Sequence, residues 1–270
     1  MININFSREN LEKRIIQRLL EEKDKIKLYW NNKSFNFTRH LIIDDFLPED
    51  IANVILDDFL KQKNLFKEGK YILKQKKNTL ADISNSSNII KDFYSIIHDN
   101  NFIEEISKIT GMTNLKSDET LYAGGLTIMK ENDYLNPHID NSHNSSREMY
   151  RRINLLFYLN HDWQEMYGGN LELWNDKVNK KKTIISKFNR LVIMETNKKS
   201  YHSVSKVKTN KLRCCISTYY FSKESPDNTN YFHVTSFIGR PEEKFIRLLS
   251  NFDNKLRKMI SYFLKFGRNK

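Results

Sequence analysis

The chain has 270 residues, 39% of them hydrophobic and 12% aromatic, which is long and apolar enough to bury a core and excludes a disordered chain. No run of eighteen apolar residues is present, and charged residues occupy the N-terminus where a signal peptide would need an apolar stretch. We therefore expect a cytoplasmic protein without a transmembrane segment. The formal net charge is +12, but the lysines are spread along the chain and no arginine-rich helix stands out. We expect no specific nucleic acid as a partner.

The two cysteines, Cys214 and Cys215, are adjacent. Neighbours in sequence form a disulfide only under strain, and two residues give no framework of bridges. They also cannot build a cysteine zinc site, which needs more ligands at wider spacing. Reduced thiols in a cytosol fit this pattern best.

The first 120 residues are predicted to be mainly helical. Pro48 stands in the first turn of one predicted helix, and Gly111 ends another. A strand is predicted over 40–46, and the polar segment 74–88 is predicted to be a loop because it shows no clear period. The predicted helices, each with apolar residues at helical spacing, are 8–27, 47–62, 88–98 and 102–109.

Between residues 121 and 222, short apolar runs alternate with turn signals, a spacing typical of an antiparallel β-sandwich or barrel. In the last predicted strand Arg213, Cys215 and Ser217 share one face. The pair Gly168–Gly169 predicts a turn, because glycine adopts positive φ without strain. The predicted strands lie near residues 126–129, 153–159, 171–174, 183–185, 190–194 and 212–221.

After Pro241 the apolar residues return to helical spacing, which predicts a C-terminal helix. We expect its apolar stripe to pack on the β-core or on a second copy of the chain. The second arrangement would make the protein an oligomer. The less favoured alternative is weak peripheral contact of its basic end, around Lys255, Arg257 and Lys258, with an anionic membrane.

The predicted organisation is α+β. An N-terminal region over 1–120 packs on a β-core over 121–222, and a helical extension follows over 223–270. No linker-like segment separates the three, so we expect one structural unit.

The first feature with chemistry is His138-Ile139-Asp140. In a strand, residues i and i+2 face the same side, so both polar side chains can reach one metal ion. A second histidine, His202, follows 62 residues later near another predicted strand. Two histidines and one carboxylate on one face leave coordination positions open, which is the ligand set of non-haem iron(II) oxygenases.

Arg213 follows His202 by eleven residues, on the inward-capable face of the last strand. A guanidinium binds a carboxylate through two parallel hydrogen bonds, so an arginine inside a barrel is a natural anchor for a dicarboxylate. The alternative is an ordinary salt bridge at the rim of the sheet.

Several short phrases accompany these residues in a fixed order. They are NPHID at 136–140, RINLLFYLN at 152–160, Trp163, GGNLEL at 168–173, FNRLVI at 188–193, YHSV at 201–204 and Arg213. In them, residues 121–221 resemble the catalytic core of the iron(II)- and 2-oxoglutarate-dependent dioxygenases, in the prolyl 4-hydroxylase-like branch. Residues 39–62 also resemble the strand and helix that precede this core.

The resemblance implies a double-stranded β-helix of the jelly-roll or cupin-like kind, and an oxidoreductase. It implies that His138, Asp140 and His202 ligate iron(II), and that Arg213 pairs with the distal carboxylate of 2-oxoglutarate. With O2 as oxidant, 2-oxoglutarate would give succinate and carbon dioxide while an unactivated carbon is hydroxylated. The first candidate substrate is a prolyl or other peptidyl residue, and ascorbate is an expected helper at the level of the family.

Two positions depart from the family pattern. Many members carry a tyrosine nine residues before the first ligand, where it contacts 2-oxoglutarate, and this chain has Met129 there. Tyr134 or Tyr122 is the candidate replacement. The residue two after the anchoring arginine is often serine, whereas here it is Cys215, and Ser217 lies on the same face further along.

Three alternatives stay open beside the peptidyl hydroxylase. One is an oxygenase acting on a free amino acid, a saccharide or a lipid intermediate. Another is a catalytically silent binding module on the same barrel, and the last is a basic scaffold that binds nucleic acid through charge alone. The polar segments 74–88 and 141–151, the second of which contains His143, are predicted to cover the site and face the substrate.

Overall fold

The computed structural model describes residues 7–31, 37–71, 74–122 and 124–250. Four helices occur in the N-terminal part of the chain: α1 (Arg8–Asn31), α2 (Glu49–Lys61), α3 (Asn88–Ile97) and α4 (Asn100–Thr110). The Asp99 carboxylate accepts a hydrogen bond from the backbone N–H of Asn101 at the start of α4, and Gly111 ends that helix in the left-handed conformation with φ 69°. These helices confirm the predicted ones to within a few residues.

Thirteen strands accompany the helices within the described residues. Their bounds are β1 (His40–Ile43), β2 (Lys67–Tyr71), β3 (Gln75–Leu80), β4 (Lys116–Ser117), β5 (Gly125–Met129), β6 (Tyr134–Ile139), β7 (Tyr150–Tyr158), β8 (Leu171–Trp174), β9 (Lys181–Ile184), β10 (Arg190–Glu195), β11 (His202–Val204), β12 (Arg213–Ser222) and β13 (Ser236–Phe237). All six predicted strands of the core are present.

The strands form one continuous, curled antiparallel sheet whose main path is β1-β10-β7-β12-β5-β3-β6-β11-β8-β9. We call the part β1-β10-β7-β12-β5 the larger sheet and the part β6-β11-β8-β9 the smaller sheet. Strand β3 pairs with β5 through residues 78–80 and with β6 through residues 75–76, so it closes one side of the barrel. This α+β architecture is the double-stranded β-helix, which confirms the predicted fold.

Two apolar clusters lie on either side of the larger sheet. The helices pack on its outer face, where Phe93 of α3 stacks on Phe157 of β7 at 5.2 Å between ring centroids. The inner face lines the barrel interior, with Tyr158 and Leu173 in one cluster. Cys214 belongs to the outer cluster and Cys215 to the inner one, so the predicted alternation of β12 is confirmed.

The prediction of a loop over 74–88 is wrong for its first half, because residues 75–80 form β3. Only Asn78 of this strand is buried, and the other side chains are partly exposed. Such a strand is held by ladder hydrogen bonds to three neighbours, and its polar composition conceals it from hydrophobic patterning. The predicted strand over 40–46 is shorter, since it ends at Ile43 before a turn with Asp45 at φ 51°.

The predicted C-terminal helix begins at residue 244 and continues to residue 250, the last one described. Its Phe245 and Leu248 are 72% and 69% exposed, so these two side chains do not pack on the β-core. The remainder of the predicted helix lies outside the described residues. Within the described ranges no helix is long and apolar enough to cross a membrane.

Candidate active site

The first candidate ligand reaches the barrel interior through a β-bulge in β6. His138 pairs with His202 of β11 and Leu135 pairs with Val204, so two residues of β6, at 136–137, oppose one residue of β11, at 203. Pro137 lies inside this irregularity, where its missing N–H costs no ladder bond. The bulge therefore brings Leu135 and His138 to the same face, although they are three residues apart.

His138, Asp140 and His202 converge at the mouth of the barrel. Their nearest ligand atoms all lie within 4.8 Å of one another. The Nε2 atom of His138 is 3.5 Å from Asp140 Oδ1, and the Nε2 atom of His202 is 3.7 Å from Asp140 Oδ2. The ring centroids of the histidines are 4.2 Å apart. Among the described residues this is the one cluster of histidine, cysteine and carboxylate groups with metal-binding geometry.

Both histidines are oriented by backbone carbonyls. Nδ1 of His138 lies 2.9 Å from the carbonyl oxygen of Asn136, and Nδ1 of His202 lies 3.0 Å from that of Ser200. Each Nδ1–H donates to its carbonyl, which leaves the Nε2 lone pair to face Asp140. Burial, reinforced by His138, lowers the pKa of His202 to about 4. This imidazole is therefore neutral at pH 7, as a metal ligand must be.

Asp140 is held as a carboxylate. Burial alone would raise its pKa, but the neighbouring His202, His138 and Arg151 outweigh burial and hold the pKa of Asp140 well below its usual range. Its Oδ2 atom is buried and accepts no hydrogen bond from the described residues. Two imidazoles and one carboxylate, whose buried Oδ2 has no donor among the described residues, make a ligand set that fits a divalent metal such as iron(II).

Arg151 is a charged neighbour of this cluster that sequence patterning missed. Its side chain is 1% exposed, its guanidinium lies 3.8 Å over the ring of Tyr219, and its Nη1 is 3.6 Å from Asp140 Oδ2. The pairing of β7 with β12 shifts between Tyr220 and Phe221, so that Arg151 lies opposite Phe221. Simple alternation assigns the inward position to Arg152, and only this irregularity in register places Arg151 there instead.

Arg213 lies deeper in the interior and is 3% exposed. Its Nε donates a 2.7 Å hydrogen bond to the carbonyl oxygen of Gly169, and its guanidinium lies 5.0 Å from the ring centroid of Tyr158. Gly168 and Gly169 have φ values of 65° and 64°, which confirms the predicted turn. A Cβ at Gly169 would come within 3.3 Å of Arg213 Cδ, so a side chain at this position would crowd the arginine.

Tyr158 is a second interior residue that sequence patterning did not single out. Its ring is fully buried, and its hydroxyl finds no hydrogen-bond partner among the described residues. It lies opposite Cys215 in the β7–β12 ladder. A buried hydroxyl beside a guanidinium suits a carboxylate that accepts from both groups.

The other candidate co-substrate residues are only partly brought together. Met129 pairs with Arg213 and is buried. Ser217 faces inward, and its hydroxyl donates a 3.2 Å hydrogen bond to the carbonyl oxygen of Gly125. Tyr134 pairs with Lys76, while the next residue, Leu135, takes the inward face, so alternation turns Tyr134 away from the interior.

A polar pocket opens beside Asp140. The segment after β12 contributes Tyr231 and His233 to the pocket wall, and Phe237 of the same segment stacks on the His138 ring at 5.0 Å. The wall contains several buried polar atoms that have no hydrogen-bond partner among the described residues. They are Arg151 Nε and Nη2, Thr196 Oγ1 and His233 Nε2. His143 lies beside this wall, with its ring 4.3 Å from that of Tyr150.

Comparison with known proteins agrees with the site. Residues 124–221 match the family model of the 2OG-Fe(II) oxygenase superfamily. No curated protein sequence matches the chain.

Solved structures with the same fold include several prolyl hydroxylases. A prolyl 4-hydroxylase from Phytophthora capsici has 16% identity and a TM-score of 0.56, over 96% of this chain and 78% of that one. A Pseudomonas putida prolyl-4-hydroxylase has 11% identity and a TM-score of 0.55, over 73% and 98%. A Trichoplax adhaerens prolyl hydroxylase, solved with a hypoxia inducible factor peptide, has 18% identity and a TM-score of 0.54, over 84% and 99%.

The fold and the matched domain define the class of protein. Residues 124–221 form a 2OG-Fe(II) oxygenase domain, and the chain is an oxidoreductase that uses iron(II), 2-oxoglutarate and O2.

Proposed function

We propose that the protein hydroxylates an unactivated carbon, with His138, Asp140 and His202 as the iron(II) ligands. The observation that carries this proposal is the convergence of their ligand atoms within 4.8 Å, with both Nδ1 protons bound to carbonyls. Iron(II) held by these residues would supply the oxidation of the C–H bond, with O2 as the oxidant. 2-Oxoglutarate would give two electrons and leave as succinate and carbon dioxide, so that one oxygen atom of O2 enters the hydroxyl group and the other enters succinate.

The chain contributes positioning and charge. Arg213 is the proposed anchor for the distal carboxylate of 2-oxoglutarate, because its guanidinium is buried and one nitrogen is fixed on Gly169. Phe237 excludes water from one face of the His138 ring. Arg151 keeps Asp140 ionised and ready to bind a cation, since its charge lies against that carboxylate.

For the acceptor we propose first a peptidyl residue, with proline the leading candidate, in the prolyl 4-hydroxylase-like branch. The sequence phrases from 136 to 213 support this choice. The prolyl hydroxylases compared above share the fold, and at 11% to 18% identity they support the fold alone.

A second candidate is a small polar acceptor such as a free amino acid or a saccharide. The pocket beside Asp140 supports it, because its wall presents buried polar atoms that have no hydrogen-bond partner among the described residues. A buried donor without a partner is costly, so the pocket favours an acceptor rich in hydrogen-bonding groups.

The first test needs no acceptor. Protein purified without oxygen is mixed with iron(II) and then 2-oxoglutarate, and the weak visible charge-transfer band of the chelate is recorded. We expect a band that Asp140→Ala abolishes and Arg213→Ala shifts to higher 2-oxoglutarate concentration. If saturating iron(II) and 2-oxoglutarate give no band, the silent binding module becomes the better interpretation.

The acceptor is then sought by mass spectrometry, as a gain of one oxygen. Proline-containing peptides, free amino acids and saccharides are presented in parallel under turnover conditions. Ascorbate is added in one arm, since its requirement is an expectation of the family. We also propose a cytoplasmic location and no specific nucleic-acid partner. The oligomeric state is measured on the same preparation.

A further inference from the structure

Strand β3 lies outside the matched domain and changes partner at Lys77. Residues 75–76 pair with β6 of the smaller sheet, and residues 78–80 pair with β5 of the larger sheet. Lys77 therefore stands at the seam where the two sheets meet. A side chain that points inward at this seam enters the barrel between the strand of His138 and the strand of Met129.

The register shows that Lys77 points inward. Thr79 lies opposite Thr127, and Thr127 lies opposite Cys215, which belongs to the inner cluster. Directly opposed residues of antiparallel strands share a face, so Thr79 faces inward, and Lys77 two residues earlier does the same. The β2–β3 ladder shows no register shift over this stretch.

The neighbours of Lys77 on the strand support this orientation, since they lie on the opposite face. Nζ of Lys76 is 3.2 Å from Asp133 Oδ1, and Asn78 Nδ2 donates a 3.3 Å hydrogen bond to Asp133 Oδ2. Lys76 and Asn78 thus share one buried carboxylate on the outer side, and Lys77 between them faces the interior.

Met129 connects Lys77 with Arg213. Arg213 pairs with Met129, and extending the β3–β5 register by one residue from Asn78 brings Lys77 beside Met129. Neighbouring strands lie about 4.8 Å apart, so two long cationic side chains flank one methionine on the inner face. The charges of Arg213 and Lys77 both act on the Cys215 thiol. Burial raises the pKa of this thiol to about 11, and each of the two cations acts to lower it.

We propose that Lys77 is a second cation for the distal carboxylate of 2-oxoglutarate and acts together with Arg213. The proposal rests on the proposed function, because it assumes that 2-oxoglutarate binds in the barrel interior beside Arg213. In many family members a tyrosine at the position of Met129 contacts 2-oxoglutarate, and Met129 cannot donate this hydrogen bond. We propose that Lys77, and not Tyr134, makes the replacing contact. Two cations around one carboxylate make the pocket selective for dicarboxylic oxo acids.

The test compares two ligands that differ only at the distal group. Protein loaded with Mn(II) without oxygen is titrated by calorimetry with 2-oxoglutarate and with 2-oxopentanoate, which carries a methyl group in place of the distal carboxylate. We expect Lys77→Met to weaken binding of 2-oxoglutarate roughly 10- to 100-fold, the range for one charged hydrogen bond, and to leave 2-oxopentanoate unchanged.

Matched variants accompany this measurement. Lys67→Met removes an exposed lysine from β2 of the same hairpin and is expected to change neither affinity. Lys77→Arg keeps the charge and is expected to retain most of the affinity for 2-oxoglutarate. Lys77→Gln gives a polar replacement in case the methionine variant folds poorly, and thermal unfolding is recorded for each protein.

Unchanged affinity for 2-oxoglutarate in Lys77→Met and Lys77→Gln would overturn the inference. An equal loss for both oxo acids would also overturn it, since Lys77 would then act on the metal or on the fold and not on the distal carboxylate. Failure of the wild-type protein to bind 2-oxoglutarate with Mn(II) present would instead overturn the proposed function, so the two failures are distinguishable.

Discussion

On one face of β12, Cys214, Ile216 and Tyr220 lie against the helices, and on the other face Arg213 and Cys215 line the barrel interior. The outer face is apolar, and its few polar groups are paired. The hydroxyl of Tyr220, for example, donates a 2.6 Å hydrogen bond to the carbonyl oxygen of Ile97. The interior that the inner face lines holds Arg213 and, from β7, Arg151. It also holds buried polar atoms of Arg151, Asn154 and Tyr158 that have no hydrogen-bond partner among the described residues. Burial without pairing costs free energy, so the difference separates a face shaped by stability from a face shaped by ligands.

The largest effect is expected on the inner face, at the candidate metal site. We expect Asp140→Ala to reduce turnover by more than about a thousandfold, since it removes the only anionic ligand of the triad. The fold should survive with a lower unfolding temperature, because the outer core stays intact but the buried Arg151 loses its carboxylate neighbour. Turnover is measured as succinate release, and the unfolding temperature is measured beside it. Activity within tenfold of wild type, as an order of magnitude, would remove Asp140 from the metal site.

The outer face gives the converse prediction. Phe93 is fully buried between Phe157 and the rest of the helix-side cluster. We expect Phe93→Ala to lower the free energy of unfolding by about 3–5 kcal/mol, from lost transfer energy and the cavity left behind. In the fraction that stays folded, the affinity for 2-oxoglutarate should be that of wild type. Urea unfolding and calorimetry test both halves, and a large loss of affinity would show that the two faces are coupled.

Arg213 should give a smaller effect that is confined to the co-substrate. We expect Arg213→Ala to raise the apparent Kd for 2-oxoglutarate by roughly 10- to 100-fold, because a charged hydrogen bond is lost. Metal binding in the absence of 2-oxoglutarate should not change. Titration of the visible band measures the first quantity, and a metal competition assay measures the second. An unaltered apparent affinity would mean that another cation anchors the carboxylate.

Sequence patterning predicted the fold, and it selected the three residues that the structure brings together as a candidate metal site, because both follow short, regular rules. The six core strands have apolar runs, and His138, Asp140 and His202 occur in recognisable phrases. The residues it missed depend on irregular register. Arg151 faces Asp140 only because the pairing of β7 with β12 shifts by one residue after Tyr220. The sequences of β7 and β12 contain no glycine or proline that would predict this shift.

Strand β3 was missed for a different reason. Its residues QKKNTL carry no apolar alternation, because Lys77 faces the barrel interior and Lys76 and Asn78 on the outer face contact the buried Asp133. Pairing with β2, β5 and β6 holds such a strand, and those partners lie far away in sequence. Lys77 therefore could not be recognised as an interior residue before the sheet was known.

The smallest expected effect concerns acid stability of the outer face. His98 follows α3 and is largely buried, and its Nε2 lies 2.8 Å from the Thr218 hydroxyl of β12. Burial lowers the pKa of His98 to about 4. The unfolded chain binds this proton near its ordinary pKa of about 6.5, so stability contributed by neutral His98 is complete above that pH. It is lost progressively as the pH falls toward 4.

We expect His98→Gln, which keeps a hydrogen-bonding group near Thr218 but cannot titrate in this range, to flatten the loss of stability between pH 6.5 and 4. The difference at pH 4 should reach no more than about 3 kcal/mol, and less if water reaches the ring. Urea unfolding of both proteins at several pH values measures it. His161, which is exposed and bonded to Asn53, supplies the control variant His161→Gln. Equal slopes for all three proteins would mean that acid destabilises the molecule through the interior groups and not through the helix-side face.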